Sequence, residues 1–129
     1  MESLFEYYNT FLWVMAATAV LVFVALQFFE AGYGYLFDSR YGPPVPNKLG
    51  WVLMESPVFI AMTALWLCSD RVCNPVLLAL LLIFQTHYFQ RSFIFPMLLR
   101  GNSKMPVSIM LMGATFNTLN ACMQGGWLF

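Results

Sequence analysis

An all-α, polytopic transmembrane helix bundle is the fold class this sequence predicts, and three observations predict it. Of the 129 residues, 60% are hydrophobic and only 9% charged, where a soluble globular domain carries roughly 45–50% apolar and about 25% charged residues. The apolar residues gather into four stretches of membrane-crossing length, since a hydrocarbon core about 30 Å thick takes about 20 helical residues. Short polar segments join them. Six Lys and Arg balance six Asp and Glu, which leaves no basic footprint for nucleic acid. Plentiful Leu, Phe, Met and Val exclude a disordered chain. Cys68, Cys73 and Cys122 are too few for a disulfide scaffold and lack Cys-x-x-Cys spacing, so no metal site is expected. Cys68 and Cys73 can pair if their connection is lumenal, but unpaired, buried thiols are the simpler reading.

Each span has its own character. Residues 11–29 carry no charge and one Gln near the end. The run is too long, and its flank with Glu2 and Glu6 too acidic, for a cleaved signal peptide. Residues 49–67 hold Glu55 and Pro57, residues 75–99 hold His87, Tyr88 and Arg91, and residues 105–123 are mildly amphipathic. All four are read as one transmembrane domain, 1–129. In the first connection Pro43, Pro44 and Pro46 forbid a regular helix and favour extended backbone. Residues 69–74 and 100–104 are tight connections. Arg40, Lys48, Arg100 and Lys104 fall in the first and third connections, against Arg71 alone on the other side. The positive-inside bias therefore places those two connections in the cytosol and the N-terminus outside or in a lumen.

Glu55 and Arg91 do not belong in lipid. Each costs about 2.5–3.5 kcal/mol at a helix centre. At about 1.5 Å per residue, Glu55 lies about 9 Å inside its span and Arg91 about 12 Å from the end of its own. Tyr88 is one turn deeper, so the three can converge on adjacent helices. Phe84, Tyr88, Arg91, Phe95 and Leu98 form one helical stripe with His87 on its flank, and Gly113, Asn117, Asn120 and Gln124 form another. Bland readings stand beside these. Glu55 and Arg91 can be a structural ion pair, the amide stripe inter-helix glue, and His87 a packing residue.

Two stretches carry a resemblance. Trp51-Val52-Leu53-Met54-Glu55-Ser56-Pro57 is similar to a W-x-x-Q-E-x-P segment, and the run from His87-Tyr88 through Arg91, Phe95-Pro96 and Arg100-Gly101 to Met105-Pro106 is similar to H-Y-x-x-R-x-x-x-Y-P-x-x-x-R-G…M-P. Phe116, Thr118, Asn120 and Gln124 continue it as F-x-T-x-N-x-x-x-Q. These patterns resemble the steroid 5-alpha-reductase (3-oxo-5-alpha-steroid 4-dehydrogenase) family, over its N-terminal half only. The resemblance implies about four spans of a seven-span fold, in an NADPH-dependent oxidoreductase of the endoplasmic reticulum membrane. It acts in steroid and lipid metabolism and saturates the Δ4 double bond of 3-oxo steroids. Most NADPH contacts would belong to a C-terminal half absent from this chain, so the isolated 129 residues are expected to be inactive.

By the same resemblance Glu55 and Tyr88 are the catalytic pair, aimed at the substrate carbonyl oxygen. Burial disfavours a charged carboxylate and would keep Glu55 a donor, while a phenol keeps its proton near neutral pH. Arg91 would support the pocket, and Arg100 would meet the cofactor's phosphates. Met54, His87, Phe95, Met112, Phe116, Asn120 and Gln124 are the remaining pocket or supporting candidates, with Asn120 and Gln124 forming a far wall or bracing the bundle. Met54, Phe95 and Met112 stand where the family usually or sometimes has Gln, Tyr and Arg, which predicts a greasier pocket. Two alternatives remain: reduction of an enoyl-CoA or other lipid enone, and a non-catalytic membrane fragment.

Overall fold

The computed structural model describes residues 2–28, 32 and 36–129. The described chain is mostly helical and divides into two units, 1–31 and 32–129. The first unit holds α1, Glu2–Ala25, followed by a turn over 26–28. The helix starts well before the expected span and stops short of its end at residue 29, which lies outside the described residues.

In the second unit the order is a 3-10 turn Ser39–Tyr41, β1 Pro44–Pro46, α2 Asn47–Leu67, α3 Pro75–Phe89, a π-helical turn Gln90–Ile94, α4 Phe95–Leu98, β2 Lys104–Pro106 and α5 Val107–Leu128. Two helical segments among the described residues are long and apolar enough to cross a membrane, Phe5–Ala25 and Asn47–Leu67.

The two prolyl connections pair with each other. β1 and β2 are antiparallel, with Pro44 opposite Pro106, Val45 opposite Met105 and Pro46 opposite Lys104. The ladder continues at both ends, through Asn47 N–H to the Ser103 carbonyl and Val107 N–H to the Pro43 carbonyl, each at 3.0 Å. Hydrogen-bonded and non-bonded pairs alternate in such a ladder. This alternation puts all three strand prolines at positions that need no N–H, and makes Val45–Met105 the bonded pair. Extended backbone was expected here. The pairing was not, and it moves the last helix start from residue 105 to Val107, directly behind Pro106.

α2 and α5 both leave this clasp and so run the same way, while the 75–98 helix returns. Asn74 caps α3, its Oδ1 accepting from Val76 N at 3.0 Å and Leu77 N at 3.3 Å, with Pro75 preset for the first turn. At the far end the Ser69 hydroxyl donates to the Phe129 carbonyl at 3.0 Å, tying the end of α2 to the end of α5. Between these ties the core is thin: Val58, Met62, Met105 and Ala121 are fully buried. Small residues let α5 approach α2, as is usual where helices pack in lipid. A Cβ on Gly113 would collide with the Met54 side chain, and one on Gly125 would lie 2.6 Å from Leu65 Cδ1. Cys68, Cys73 and Cys122 are free, but exposed rather than buried, which corrects the sequence reading.

Candidate functional site

Midway along the second unit, polar side chains from α2, α5 and the 75–98 helix meet. Pro57 in α2 has no N–H for the Leu53 carbonyl, and Glu55 sits in that loosened turn. Its side chain is 3% exposed. Arg91 Nε donates to Glu55 Oε1 at 2.7 Å, and Asn117 Nδ2 donates to Glu55 Oε2 at 3.1 Å. The same Asn117 amide reaches the Met54 carbonyl at 2.8 Å. Both carboxylate oxygens thus act as acceptors, one toward a guanidinium, which is the arrangement of an ionised carboxylate. The expectation that burial makes Glu55 a donor is therefore not what this geometry favours; the ion pair weighed in the sequence is what forms.

Arg91 stands in the π-helical turn, a wide turn of a kind often found at functional sites. Phe95 N–H reaches back to the Gln90 carbonyl, five residues away, and Pro96 follows where a regular helix would clash with the carbonyl four residues before it. The wide turn relieves that clash and turns Arg91 toward α2. Its guanidinium carbon lies 5.3 Å from the centre of the Trp51 ring, a cation–π contact, and Phe95 meets Trp51 edge-on at 5.1 Å. The Arg91 side chain remains 46% exposed, so four of its N–H donors are left beyond the one given to Glu55.

Tyr88, one turn deeper and half-buried, is held from three sides. Phe84 packs on its ring at 4.6 Å and His87 meets it edge-on at 5.1 Å. Asn120 Nδ2 donates to the Tyr88 oxygen at 3.2 Å, and Gln124 Nε2 donates to Asn120 Oδ1 at 3.0 Å. Asn120 and Gln124 are therefore bonded in a chain to Tyr88.

Other expected residues sit further out. Met54 packs against Gly113 of α5. His87 is exposed. Met112 is 65% exposed and Phe116 51% exposed, both on the outer face of α5 in this unit. Leu98 is also turned outward, because the wide turn breaks the regular stripe that starts at Phe84. Trp51 and Asn117 were not among the sequence candidates. Both carried a signal: Trp51 is one turn before Glu55 on the same face, and Asn117 lies in the amide stripe of α5.

At the clasp end Arg100 is exposed. A cavity of about 420 Å³ there is lined by Lys48, Lys104, Asn47, Ser103 and the residues of β1. Lys48 and Lys104 on its wall are donors suited to an anionic phosphate, and Arg100 is not part of that lining.

No family model matches the chain. Comparison with curated proteins does give relatives. The chain is 31% identical over 131 residues to steroid 5-alpha-reductase DET2 of Gossypium hirsutum, a match covering 98% of this chain and 50% of that protein. It is 32% identical to 3-oxo-5-alpha-steroid 4-dehydrogenase 2 of Homo sapiens over 122 residues, covering 89% of this chain and 48% of the relative. The chain is similar to about half of a steroid 5-alpha-reductase. The Arabidopsis thaliana DET2 protein matches at 32% identity over 81% of this chain and 42% of its own length. The chain thus spans about half the length of the curated relatives it matches.

Proposed function

We propose that this chain forms the carbonyl end of the site in an NADPH-dependent membrane reductase that saturates the Δ4 double bond of a 3-oxo steroid. The reading extends to one membrane domain over 1–129 with four spans, in the endoplasmic reticulum. Its N-terminus is lumenal and the clasp end cytosolic. The names of the relatives support a steroid substrate and do not favour an acyl thioester. The observation that carries the proposal is two bonded sets one helical turn apart on the same two helices, Arg91–Glu55–Asn117 and Tyr88–Asn120–Gln124.

Reduction of a conjugated enone puts negative charge on the carbonyl oxygen, and donors preset toward that oxygen in a dry site lower the barrier. When bound, NADPH supplies the hydride for the β-carbon. Tyr88 is the best-placed donor, because its oxygen accepts from Asn120 and its own proton remains to give. Glu55, gripped by Arg91 and Asn117, fixes the cationic group beside it. Arg100, with Lys48 and Lys104, would hold the cofactor's phosphates. The remaining contacts to the nicotinamide nucleotide would come from the part of the family's length that these residues do not match, so residues 1–129 alone bind it weakly and turn nothing over.

The test is turnover of 3-oxo-4-ene steroids with NADPH by the full-length protein in microsomes, beside a fatty enoyl-CoA. Steroid reduction that falls in Tyr88→Phe and Glu55→Gln supports the reading. A folded protein that reduces no enone, or only the thioester, overturns it.

A further inference from the structure

We infer that Gln124 is a positioning residue that sets, through Asn120, the direction in which Tyr88 gives its proton. The bonding facts are two. Gln124 Nε2 donates to Asn120 Oδ1, and Asn120 Nδ2 donates to the Tyr88 oxygen. An amide has a donating end and an accepting end, so the chain of bonds has a polarity. In the polarity seen here every proton points from Gln124 toward Tyr88. The phenol oxygen is filled as an acceptor, and its single O–H is free for a guest in the cluster.

The opposite polarity is equally self-consistent. With both amides reversed, Asn120 would present Oδ1 to Tyr88, and the phenol would spend its proton inside the protein. A ligand oxygen would then meet a lone pair in place of a donor. α5 makes the two amides interdependent: Gln124 and Asn120 are four residues apart, stacked on one face, so neither reverses without the other. Both are half-buried, which limits the water able to substitute for either partner. The pair is therefore a polarity setting for Tyr88, a role distinct from filling space or gluing helices.

Side-chain chemistry can force the reversed state. In Asn120→Asp the carboxylate facing Tyr88 can only accept, so it takes the phenol proton directly. In Gln124→Glu the carboxylate draws the Asn120 NH₂ toward itself, and the carbonyl end turns to Tyr88. Asn120→Ala removes the partner but leaves the proton free. A bracing role ranks these variants the other way, because Asp and Glu preserve shape and Ala does not.

The inference rests on the proposed steroid reduction for its consequence, but not for its physical content. In full-length protein, Asn120→Asp and Gln124→Glu should each lower kcat about 10²-fold, the scale of losing one oxyanion donor, with KM changing much less. Asn120→Ala should lose less than either, and in a Tyr88→Phe background none of the three should matter further. Independently of turnover, ring-deuterated tyrosine allows the Tyr88 C–O stretch to be read by infrared difference between wild type and Tyr88→Phe. That band should report an accepting hydroxyl in wild type and a donating one in Asn120→Asp and Gln124→Glu. The idea is overturned if the band stays where it is in both variants, or if Asn120→Ala costs as much turnover as Asn120→Asp. A wild type that reduces no steroid but shows the band shift would fail the substrate reading and leave the polarity intact.

Discussion

At the clasp, α2 and α5 are joined by backbone: three prolines mark where no N–H is needed, and the Asn47 and Val107 amides close the ladder on either side. A few turns along, the same two helices are joined by side chains, through Asn117 on Glu55 and the Met54 carbonyl. Backbone pairing depends on where N–H groups fall and tolerates most side chains. The polar cluster depends on which atom of each side chain donates. The first region should therefore be sensitive to proline placement and the second to isosteric exchange.

The largest expected effect tests the cluster. Tyr88→Phe keeps the ring and its contacts with Phe84 and His87 but removes the donor. Steroid turnover by the full-length protein should fall about 10²–10³-fold, with thermal stability little changed. A drop in stability that matches the drop in rate would make Tyr88 a packing residue.

Next comes the ion pair. Arg91→Met alone strands a buried carboxylate, for which a cost of about 3–5 kcal/mol is usual; the half-exposed Arg91 side chain puts this case at or below the low end. Glu55→Leu combined with Arg91→Met should recover most of that loss in Tm measured in detergent, while leaving turnover impaired. Failure of the double replacement to recover would give the pair a net stabilising role.

The clasp is tested by moving a proline. Val45→Pro removes the N–H that the alternation assigns to the bonded pair and should cost up to about 3 kcal/mol. Lys104→Pro, at the register position opposite Pro46, should cost less than about 1 kcal/mol. Equal melting temperatures for the two variants would contradict the ladder.

How much of this was legible beforehand follows from range. The apolar runs give α2 and the 75–98 helix to within a few residues, because helix formation and length are local properties. Glu55, Tyr88 and Arg91 were legible through the cost of polar groups at matching depths. The β1–β2 pairing was not, since Asn47 and Ser103 are 56 residues apart and three-residue prolyl strands carry no alternating pattern. Nor was the wide turn, whose only local cue is Pro96. Asn120 was legible as a polar residue facing the bundle, but its contact with Tyr88 depends on helix rotation, which apolar periodicity fixes only coarsely. Helix rotation likewise decides where Met112 and Phe116 stand, on the outer face of this unit.

The smallest expected effect lies beyond both regions, in the 3-10 turn before the clasp. Hydrogen bonds from the Arg40 side chain and backbone hold the Asp38 carboxyl below its ordinary value of 3.8. The resulting stabilisation is complete above that value and is lost as pH falls through the lower folded one. Asp38 is open to solvent screening, so the difference in melting temperature between wild type and Asp38→Asn should shrink only slightly between about pH 5 and pH 2. A difference that stays constant across that range would deny the turn any acid dependence.

The π-helical turn at Gln90–Ile94 amounts to one residue stored inside a helix. Excising any single residue there would bring Pro96 back against the carbonyl four residues before it and swing everything after it by about 100°. Phe95 would leave Trp51, and the approach to β2 would start from the wrong side. A change of length in this chain is thus least tolerable at a place with no loop to mark it.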